Sequence, residues 1–527
     1  MATIAPTALV GGGVASSSQS GAPIKVTSEA FRETLIAIHK AISSGAPFDK
    51  FVEEFLAPEN NAILPPPAHD LDFNHPLTAY FISSSHNTYL VEHQLYGKST
   101  VQGYINVLSR GCRCVEIDVW DGEDGEPKVD HGWTLTEAIT FQEVCEAIAK
   151  YAFLSSDLPV IVSLECHASM EQQAKMVTIM KNSWKEMLME GELSGWNVAD
   201  KGLPPPGLLR NKILVKVKYL PPDAQPGGPS GPAVQSLVTK TKSLTVADDE
   251  DSETDPEVKK KAPKVKISAT LSALGVYASA MKFAESFTDA VSTRPNHVFS
   301  FSEKKFNALH EAQADALFQH NRHFLTRVYP HGLRISSSNL NPQDFWRRGA
   351  QLVALNWQKA DKGITFNEAM FAGTGGYVLK PQSHLPDPKN CVGIKDLQKD
   401  VDLKVTILAG QSLPLPKDHK AKDFQPYVKV IVHVSQNIKQ KEKVKHGKGQ
   451  NVRWEKKNTL QFKVAEVVEQ LAFVKFKVYN DEFGKDEKSA WACVRMDRLK
   501  KGYGHLKLFD MKGNATDAAL IIYVEKS

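Results

Sequence analysis

Short strand-like runs alternate with helical segments between about residues 78 and 220, and the alternation resumes between about 298 and 358. This order favours a parallel sheet, because parallel neighbours need a long crossover connection that is usually a helix. Eight strands are counted when the short segment 128–132 is included, which predicts an α/β fold of the (β/α)8 TIM-barrel type. Two independent α/β domains are the alternative that the pattern leaves open.

Residues 221–266 interrupt this alternation and show neither a helical nor a strand period. The segment is first rich in Pro, Gly and Ser, and then carries the acidic run 248–255 and the basic run 259–266. Such a composition buries too little apolar surface to offset the entropy of ordering. We therefore expect a disordered acidic and basic linker between two halves of one barrel, residues 70–220 and 267–385.

The chain on either side of the barrel predicts three further parts. Residues 1–25 are rich in Ala, Gly and Ser and are expected to be disordered. Residues 26–69 contain two amphipathic helical patterns without a calcium-loop motif; as the remnant lobe that a family resemblance described below implies, this pair is expected to pack on the barrel. Apolar and polar residues alternate within 396–527, which predicts an antiparallel β-sandwich.

Charge and cysteine content exclude several classes of protein. A formal net charge of +4 over 527 residues gives no support for binding to nucleic acid. The six cysteines have neither zinc-ligand spacing nor the density of a disulfide framework, as is typical of a reducing, cytoplasmic compartment. No signal-peptide pattern and no run of about 18 apolar residues occurs, so we do not expect a membrane-spanning helix.

Polar side chains that can bind a proton or a metal lie at the ends of four predicted strands. They are His86 and Asn87 after the first strand, Glu116 and Asp118 at alternating positions of the second, His131 after segment 128–130, and Glu165. The carboxyl ends of barrel strands meet at one face, so these side chains are expected to converge. Oxygen ligands suit a hard cation such as Ca²⁺ or Mg²⁺, which leaves the imidazoles for proton transfer. Each residue alone also has a purely structural explanation.

Several longer motifs resemble a known enzyme family. The runs SSSHNTYL, RGCRCVEIDVWDG, DHGWTLT and VIVSLECH resemble the X region of eukaryotic phosphoinositide-specific phospholipase C, and SFSE, TRVYPHGLR, SSNLNPQDFW and GGYVLKP resemble its Y region. The resemblance runs from about residue 70 to the C-terminus. It implies a delta-like architecture, with an EF-hand-like helical remnant, a split catalytic barrel and a C-terminal C2 domain. We expect no pleckstrin-homology domain before the helical pair, because residues 1–25 are too few to form one.

The resemblance also implies an activity and a metal. A member of this family would hydrolyse phosphatidylinositol 4,5-bisphosphate to diacylglycerol and inositol 1,4,5-trisphosphate through a cyclic phosphodiester, at the cytoplasmic face of a phosphoinositide-containing membrane. By residue-to-residue match, the ligands of a catalytic Ca²⁺ would be Asn87, Glu116, Asp118 and Glu165. His86 would stabilise the transition state, His131 would act as general acid, and Glu116 or Glu165 would accept the proton of the inositol 2-hydroxyl.

Two further sets of residues are implied by the same match. The headgroup contacts would be Lys216, Lys218, Ser300, Arg327 and Tyr329. A hydrophobic rim that inserts into the membrane would consist of Leu95, Trp133, Leu135 and Leu333. Without the match, we would assign Lys216 and Lys218 to a solvent-exposed strand face and the rim leucines to the hydrophobic core.

The sequence leaves more than one interpretation open for the sandwich and for the activity of the chain. Candidate calcium ligands of a C2 domain are Asp418, Asp423, Asp481 and Asp486, but Gln425 stands where many C2 domains carry Asp. The basic stretch 439–457 favours anionic lipid, and equally favours a lysine-rich edge that resists aggregation. A lipid-binding scaffold with a silent barrel and a phosphodiesterase for soluble glycerophosphodiesters are the competing functions. The sequence assigns neither a protein activator nor an oligomeric state.

Overall fold

The computed structural model describes residues 24–42, 45–91, 98–131, 138–221, 267–386, 393–435 and 437–527. The expected linker, apart from residue 221, and residues 1–23 of the expected disordered N-terminus lie outside these ranges. The chain divides into a barrel unit, Ala68–Ile364 with Thr374–Cys391, and a sandwich unit, Met1–Pro67 with Thr365–Gly373 and Val392–Ser527. Within the described ranges, no helix combines the length and apolarity needed to cross a bilayer.

The barrel unit is built around eight parallel strands. Its strands are β1 (Tyr80–Ser85), β2 (Cys114–Trp120), β3 (Lys128–Val129), β4 (Ile139–Thr140), β5 (Val160–Cys166), β6 (Ile213–Lys218), β7 (Ser279–Ala280), β8 (His297–Ser302), β9 (Leu325–Tyr329), β10 (Leu352–Leu355) and β11 (Tyr377–Leu379). The barrel order is β1, β2, β5, β6, β7, β8, β9 and β10, and β10 pairs again with β1. The predicted TIM-type barrel is confirmed.

The prediction assigned one of the eight barrel strands to the wrong segment. Segment 128–132 contributes β3, which pairs antiparallel with β2 through Val119 and Val129 and continues into β4 off the barrel. The missing barrel strand is β7, which pairs in parallel with β6 and β8 although it is only two residues long. A run of two residues carries no period that a sequence pattern can register.

Helices follow most of the barrel strands. Those between residues 101 and 371 are Val101–Ser109, Phe141–Tyr151, Met170–Trp184, Val198–Lys201, Ala269–Ser272, Glu303–His323, Pro342–Trp346 and Lys362–Phe371. The helix Phe141–Tyr151 shows why the chain turns helical here: Thr140 and Glu143 form a capping box. Its apolar residues at helical spacing, Phe141, Val144, Cys145 and Ile148, are all buried.

An apolar cluster fills the amino-terminal half of the barrel strands. It includes Ile82, Cys114, Ile161, Leu214, Val298, Leu325 and Leu352, one from each of seven strands. Because this layer supplies the packed core, the opposite, carboxyl ends of the strands can carry polar side chains.

The sandwich unit contains antiparallel strands only, among the described residues. They are β12 (Lys399–Gln411), β13 (Pro426–His433), β14 (Lys439–Lys443), β15 (Val452–Arg453), β16 (Thr459–Val467), β17 (Phe473–Asn480), β18 (Glu487–Arg495), β19 (Gly502–Asp510) and β20 (Ala515–Lys526). The strand order is β14, β13, β17, β18, β19, β20, β12 and β15, with β16 also on β12. The predicted antiparallel β-sandwich is confirmed.

Two N-terminal helices, Glu29–Ala41 and Phe48–Leu56, belong to the sandwich unit. Their buried apolar residues, including Phe31, Leu35 and Phe55, form one cluster with Ala409 of β12 and with Ala519 and Ile521 of β20. The expectation that this helical pair uses its apolar face on the barrel is therefore wrong. The sequence defined the apolar face of the pair, but its partner is a sheet that lies more than 350 residues away in the chain.

Candidate active site

Polar residues on neighbouring strands lie level with one another at the carboxyl ends of the barrel. The pairing of β2 with β5 places Asp118 opposite Glu165 and Glu116 opposite Ser163. Ser163 is in turn opposite Lys216 of β6. The parallel register thus gathers side chains that are 47 to 100 residues apart in the sequence onto three adjacent strands.

Three carboxylates form the centre of the candidate site. Glu116, Asp118 and Glu165 each offer one oxygen atom, and these atoms lie within 4.8 Å of one another. Glu116 is buried, Asp118 is half-buried and Glu165 is exposed, so the cluster opens from the barrel interior toward solvent. The Tyr89 hydroxyl donates a 2.6 Å hydrogen bond to Asp118 Oδ2 and orients that carboxylate. A group of hard oxygen donors at this spacing fits a divalent cation such as Ca²⁺.

Asn87 lies beside the carboxylates because of a local backbone feature. Its φ is 42°, in the left-handed region that Asn adopts more readily than most residues. The turn directs the Asn87 N–H to Glu116 Oε2, with a 2.8 Å hydrogen bond. Asn87, a predicted metal ligand, is therefore next to Glu116, which is another.

Glu116 forms a buried ion pair with Arg327 of β9. Arg327 Nη2 lies 2.6 Å from Glu116 Oε1, and the two side chains are 1% and 2% exposed. Burial by itself raises the pKa of Glu116, but Arg327, His86, the Asn87 N–H and Lys216 together hold it below the ordinary value. Burial lowers the pKa of Arg327, but Glu116 and Glu165 raise it above the ordinary value. Both groups are therefore charged at neutral pH.

Ser300 and Lys216, two of the headgroup residues predicted from the sequence, lie next to this ion pair. Ser300 of β8 is level with Arg327, and its buried hydroxyl and Arg327 Nε both lack a hydrogen-bond partner in the part of the chain that is described. Lys216 Nζ donates to Ser163 Oγ at 3.0 Å, and burial and then Arg327 lower the pKa of Lys216, against the pull of Glu165. Lys218 is half-buried at the last position of β6.

His86 is held by a residue that sequence reasoning missed. Its Nδ1 lies 2.9 Å from Asn356 Oδ1, and its ring is parallel to that of Tyr329 at a centroid distance of 6.0 Å. An amide oxygen only accepts hydrogen bonds, so His86 Nδ1 carries a proton. Asn356 directly follows β10, so the rule that polar residues at strand ends belong to the site would have found it.

His131 follows β3 and is half-buried. Its ring centroid lies 6.3 Å from that of Tyr89, the residue whose hydroxyl holds Asp118. The hairpin of β2 and β3, rather than a barrel strand, therefore brings this second imidazole to the carboxylates. Tyr89 was also missed, since nothing in the sequence relates it to a carboxylate 29 positions later.

The structure describes only part of the predicted membrane rim, and it does not bring the four candidate aspartates of the sandwich together as one metal site. Leu333 is 75% exposed, and the rim residues Leu95, Trp133 and Leu135 lie outside the described residues. In the sandwich, Asp481 contacts His446 Nδ1 at 2.6 Å, and Asp486 accepts a 2.6 Å hydrogen bond from the Tyr427 hydroxyl. Among described sandwich residues, the group with metal-ligand spacing is His419, Glu482 and Glu487, and none of the four candidate aspartates belongs to it.

Family comparisons agree with this arrangement. The profile described as "Phosphatidylinositol-specific phospholipase C, X domain" matches residues 73–219, and the corresponding "Y domain" matches residues 271–383. The profile described as "C2 domain" matches residues 401–511. The two barrel matches leave unmatched the stretch that separates β6 from the helix at Ala269.

Individual relatives cover most of the chain. It is 34% identical over 487 residues to 1-phosphatidylinositol 4,5-bisphosphate phosphodiesterase zeta-1 of Mus musculus, covering 86% of this chain and 74% of that protein. The delta-1 enzyme of Homo sapiens is 34% identical over 464 residues, covering 85% of this chain and 60% of that protein. The crystal structure of L. pealei PLC21 matches 94% of this chain and 62% of its own, with a TM-score of 0.74 and 28% identity.

Proposed function

The chain belongs to the phosphatidylinositol-specific phospholipase C family, and we propose that it hydrolyses phosphatidylinositol 4,5-bisphosphate to diacylglycerol and inositol 1,4,5-trisphosphate. The observation that carries this proposal is the three-carboxylate cluster with His86 and His131 at one end of the barrel, beside the cations Arg327 and Lys216. The carboxylates and histidines can perform the chemistry of a phosphodiesterase, and the two cations can bind the phosphates of a bisphosphorylated headgroup.

Calcium is the metal that we assign to the carboxylates. Glu116, Asp118, Glu165 and Asn87 would hold it, since oxygen donors of unequal exposure suit the flexible coordination of this ion. When bound, the ion would lower the pKa of the inositol 2-hydroxyl and neutralise charge on the phosphate. The positive charge of Arg327 compensates Glu116 in the protein itself.

The side chains divide the first chemical step among themselves. A carboxylate takes the proton of the 2-hydroxyl, whose oxygen attacks phosphorus, while His131 gives a proton to the departing diacylglycerol oxygen. Arg327 and the Asn87 N–H hold the pKa of Glu116 below its ordinary value, which disfavours it as a base, so we assign the proton acceptor to Glu165. His86 donates a hydrogen bond to a phosphate oxygen as negative charge develops there.

The second step uses the same groups in reverse. His131, now neutral, removes a proton from water, and the resulting hydroxide opens the cyclic phosphodiester. The protonated carboxylate returns its proton to the 2-oxygen that leaves phosphorus. Every group is then in its starting state.

Headgroup recognition falls to the fixed cations next to the cluster. Arg327 and Ser300 lie at one register level with an unpartnered N–H and an unpartnered hydroxyl, which suits a phosphate that accepts from both. Lys216 and Lys218 project from β6 at alternate positions and suit a second phosphate. Tyr329, parallel to His86, supplies a flat surface for the inositol ring.

One assay tests the activity and the mechanism together. Vesicles that contain radiolabelled phosphatidylinositol 4,5-bisphosphate should release water-soluble inositol phosphates with calcium, but not with EGTA. The His131→Ala variant should lose on the order of 10²–10⁴-fold in rate. The matched control is His69→Ala, which removes an exposed histidine of the same unit and should leave the rate unchanged. Calcium-independent turnover, or full activity of His131→Ala, would overturn the proposal.

Removing the contact between Asn356 and His86 should weaken catalysis more than binding. The Asn356→Leu variant deletes the acceptor of His86 Nδ1, so we expect kcat to fall by roughly 10–100-fold with little change in KM. The Asn356→Asp variant keeps an acceptor, and its carboxylate favours the charged imidazole, so activity should return with a pH profile displaced to higher pH. Equal losses in kcat for both variants, with unaltered pH profiles, would assign Asn356 a purely structural role.

A further inference from the structure

The main chain of Asn356 is held by the side chain of Asn339. Asn339 Oδ1 accepts a 2.7 Å hydrogen bond from the Asn356 N–H, and Asn339 Nδ2 donates a 3.1 Å hydrogen bond to the Asn356 carbonyl oxygen. One side-chain amide thus binds both polar groups of one residue's main chain, and we call this pair of contacts the amide clamp. Because Asn356 Oδ1 is the acceptor for His86 Nδ1, the amide clamp acts one residue away from an imidazole of the candidate site.

Asp361 holds Asn339 in turn. One of its carboxylate oxygens accepts from the Asn339 N–H at 2.7 Å, and the other accepts from Asn339 Nδ2 at 3.1 Å. Both residues are half-buried, and hydrogen bonds to an ionised carboxylate are stronger than those between neutral groups. Since Nδ2 faces the carboxylate, Oδ1 is the atom of this amide that remains to accept from the Asn356 N–H.

The orientation of the Asn356 side chain is fixed by the residue before Asn339. Asn356 Nδ2 donates a 3.4 Å hydrogen bond to the carbonyl oxygen of Ser338. A carbonyl oxygen cannot donate, so Nδ2 must face Ser338 and Oδ1 must face His86. Asn356 and His86 are 1% and 4% exposed, so solvent has little access to either group. The segment 338–339 therefore sets both the position and the orientation of the amide that holds His86.

Strand β1 holds the residues on either side of Asn356. The His86 N–H donates to the carbonyl oxygen of Leu355 at 2.9 Å, and Trp357 Nε1 donates to the carbonyl oxygen of Ser84 at 3.0 Å. These contacts tie residues 355–357 to β1, and the amide clamp adds a hold on the Asn356 N–H itself. Strand and clamp together determine where Asn356 Oδ1 lies.

Helix capping explains only part of this arrangement. Asp361 precedes the helix Lys362–Phe371, and its Oδ1 accepts from the Gly363 N–H at 2.8 Å, as an N-cap residue does. Capping by itself needs no contact with Asn339. Position 363 is suited to that contact, because a Cβ there would lie 2.6 Å from Asn339 Cβ. The glycine lets the start of the helix approach Asn339 closely.

We propose that Asn339 and Asp361 are positioning residues for phosphodiester hydrolysis, and that they act on His86 through Asn356. A side chain that donates to a phosphate oxygen in the transition state must be held within about 0.5 Å of its productive position. The hydrogen bonds from Asp361 to Asn339, from Asn339 to Asn356 and from Asn356 to His86 provide such a support. This inference rests on the proposed function, because it requires the reaction in which His86 takes part.

Steady-state kinetics on vesicles that contain phosphatidylinositol 4,5-bisphosphate, with calcium, test this proposal. Asn339→Leu deletes the amide clamp, so kcat should fall on the order of tenfold with little change in KM. In the Asn356→Leu background the same substitution should cause no further fall in kcat, because the residue through which it acts is already absent. The matched control is Asn74→Leu, which removes an exposed amide that donates to Asp72 at 2.8 Å and should leave kcat unchanged.

An exchange of donor and acceptor provides a rescue. Asn339→Asp places a second carboxylate where Asn339 Nδ2 lies 3.1 Å from Asp361 Oδ1, so repulsion should lower kcat at least as much as Asn339→Leu does. Adding Asp361→Asn restores a donor and an acceptor between the two positions, while position 339 still accepts from the Asn356 N–H. We expect kcat of this double variant to return to within about threefold of the native value. Urea unfolding shows that each variant is folded under the assay conditions.

A crystal structure of Asn339→Leu gives a readout that does not depend on turnover. The contact between His86 Nδ1 and Asn356 Oδ1, 2.9 Å in the native protein, should be lost. Retention of this contact, an unchanged kcat, equal losses from Asn339→Leu with and without Asn356, or no recovery in the exchange variant would overturn the inference. If the native enzyme with calcium releases no inositol phosphates, the proposed function fails, and the crystal structure still decides whether the amide clamp holds His86.

Discussion

Replacing Arg327 with methionine is expected to lower the free energy of unfolding of the barrel unit by about 3–5 kcal/mol. The substitution leaves the Glu116 carboxylate buried without its partner, 2.6 Å away in the native protein. Lys216 and the Asn87 N–H remain, but Arg327 is the strongest of the groups that favour the charged carboxylate. The variant should also lose hydrolysis of phosphatidylinositol 4,5-bisphosphate, because methionine cannot donate a hydrogen bond to the headgroup phosphate.

Hydrogen exchange of the peptides that contain β2 and β9, measured in EGTA, gives the stability of this region. Arg210→Met is the matched control, since it breaks a half-exposed ion pair with Asp157 and should cost no more than about 1 kcal/mol. Adding Glu116→Gln to Arg327→Met should recover most of the loss, because the unpaired charge is then absent. Equal effects of the two arginine substitutions would show that the barrel interior solvates Glu116 without Arg327.

Acid should destabilise the barrel unit already at pH values above those at which carboxylates titrate. Burial lowers the pKa of His297 to about 4, and the pKa values of His320 and His384 to about 3. Their ordinary value is 6.5, so below that pH the unfolded chain binds protons that the folded protein does not. The contribution of these three histidines to stability is therefore constant above pH 6.5, and it falls as the pH decreases from 6.5, by about 2 kcal/mol per histidine at about pH 5.

Urea unfolding at a series of pH values between 6.5 and 5 measures this slope while Glu116, with its lowered pKa, remains charged. His384→Gln should reduce the slope by at most about one third, since His297 and His320 remain and the pKa values of His310 and His323 are also lowered. His69→Gln, which replaces an exposed histidine of the same unit, should leave the slope unchanged. A wild-type stability that stays constant down to pH 5 would show that these histidines accept protons without unfolding.

Much of the site was predictable because its members obey one rule. His86 and Glu165 lie at the carboxyl ends of strands that the local pattern reveals, and Glu116 shares one face of its strand with Asp118. Parallel pairing brings these positions together. Asn356 obeys the same rule and was overlooked only because a lone amide carries a weak chemical signal. The resemblance to the family added the roles and the headgroup contacts, which chemistry at strand ends does not specify.

Other features depend on contacts that no local pattern records. Strand β7 exists because β6 and β8 supply hydrogen-bonding partners for two residues. The segment before His131 has the composition of a barrel strand, but its antiparallel pairing with β2 makes it a hairpin outside the barrel. The apolar face of the N-terminal helices has the right period, yet its partner strands belong to the sandwich.

By itself, the sequence determined the kinds of element, the barrel and sandwich classes, and the chemical types of residue available for catalysis. The period of apolar residues and the polar residues at strand ends are local properties, so they can be read without a structure. Only the tertiary structure decided that Arg327 neutralises Glu116, that Asn356 holds His86, and that Asn339 holds Asn356 in turn. These contacts join residues up to 270 positions apart, and strand register, which no single segment encodes, sets which of them meet.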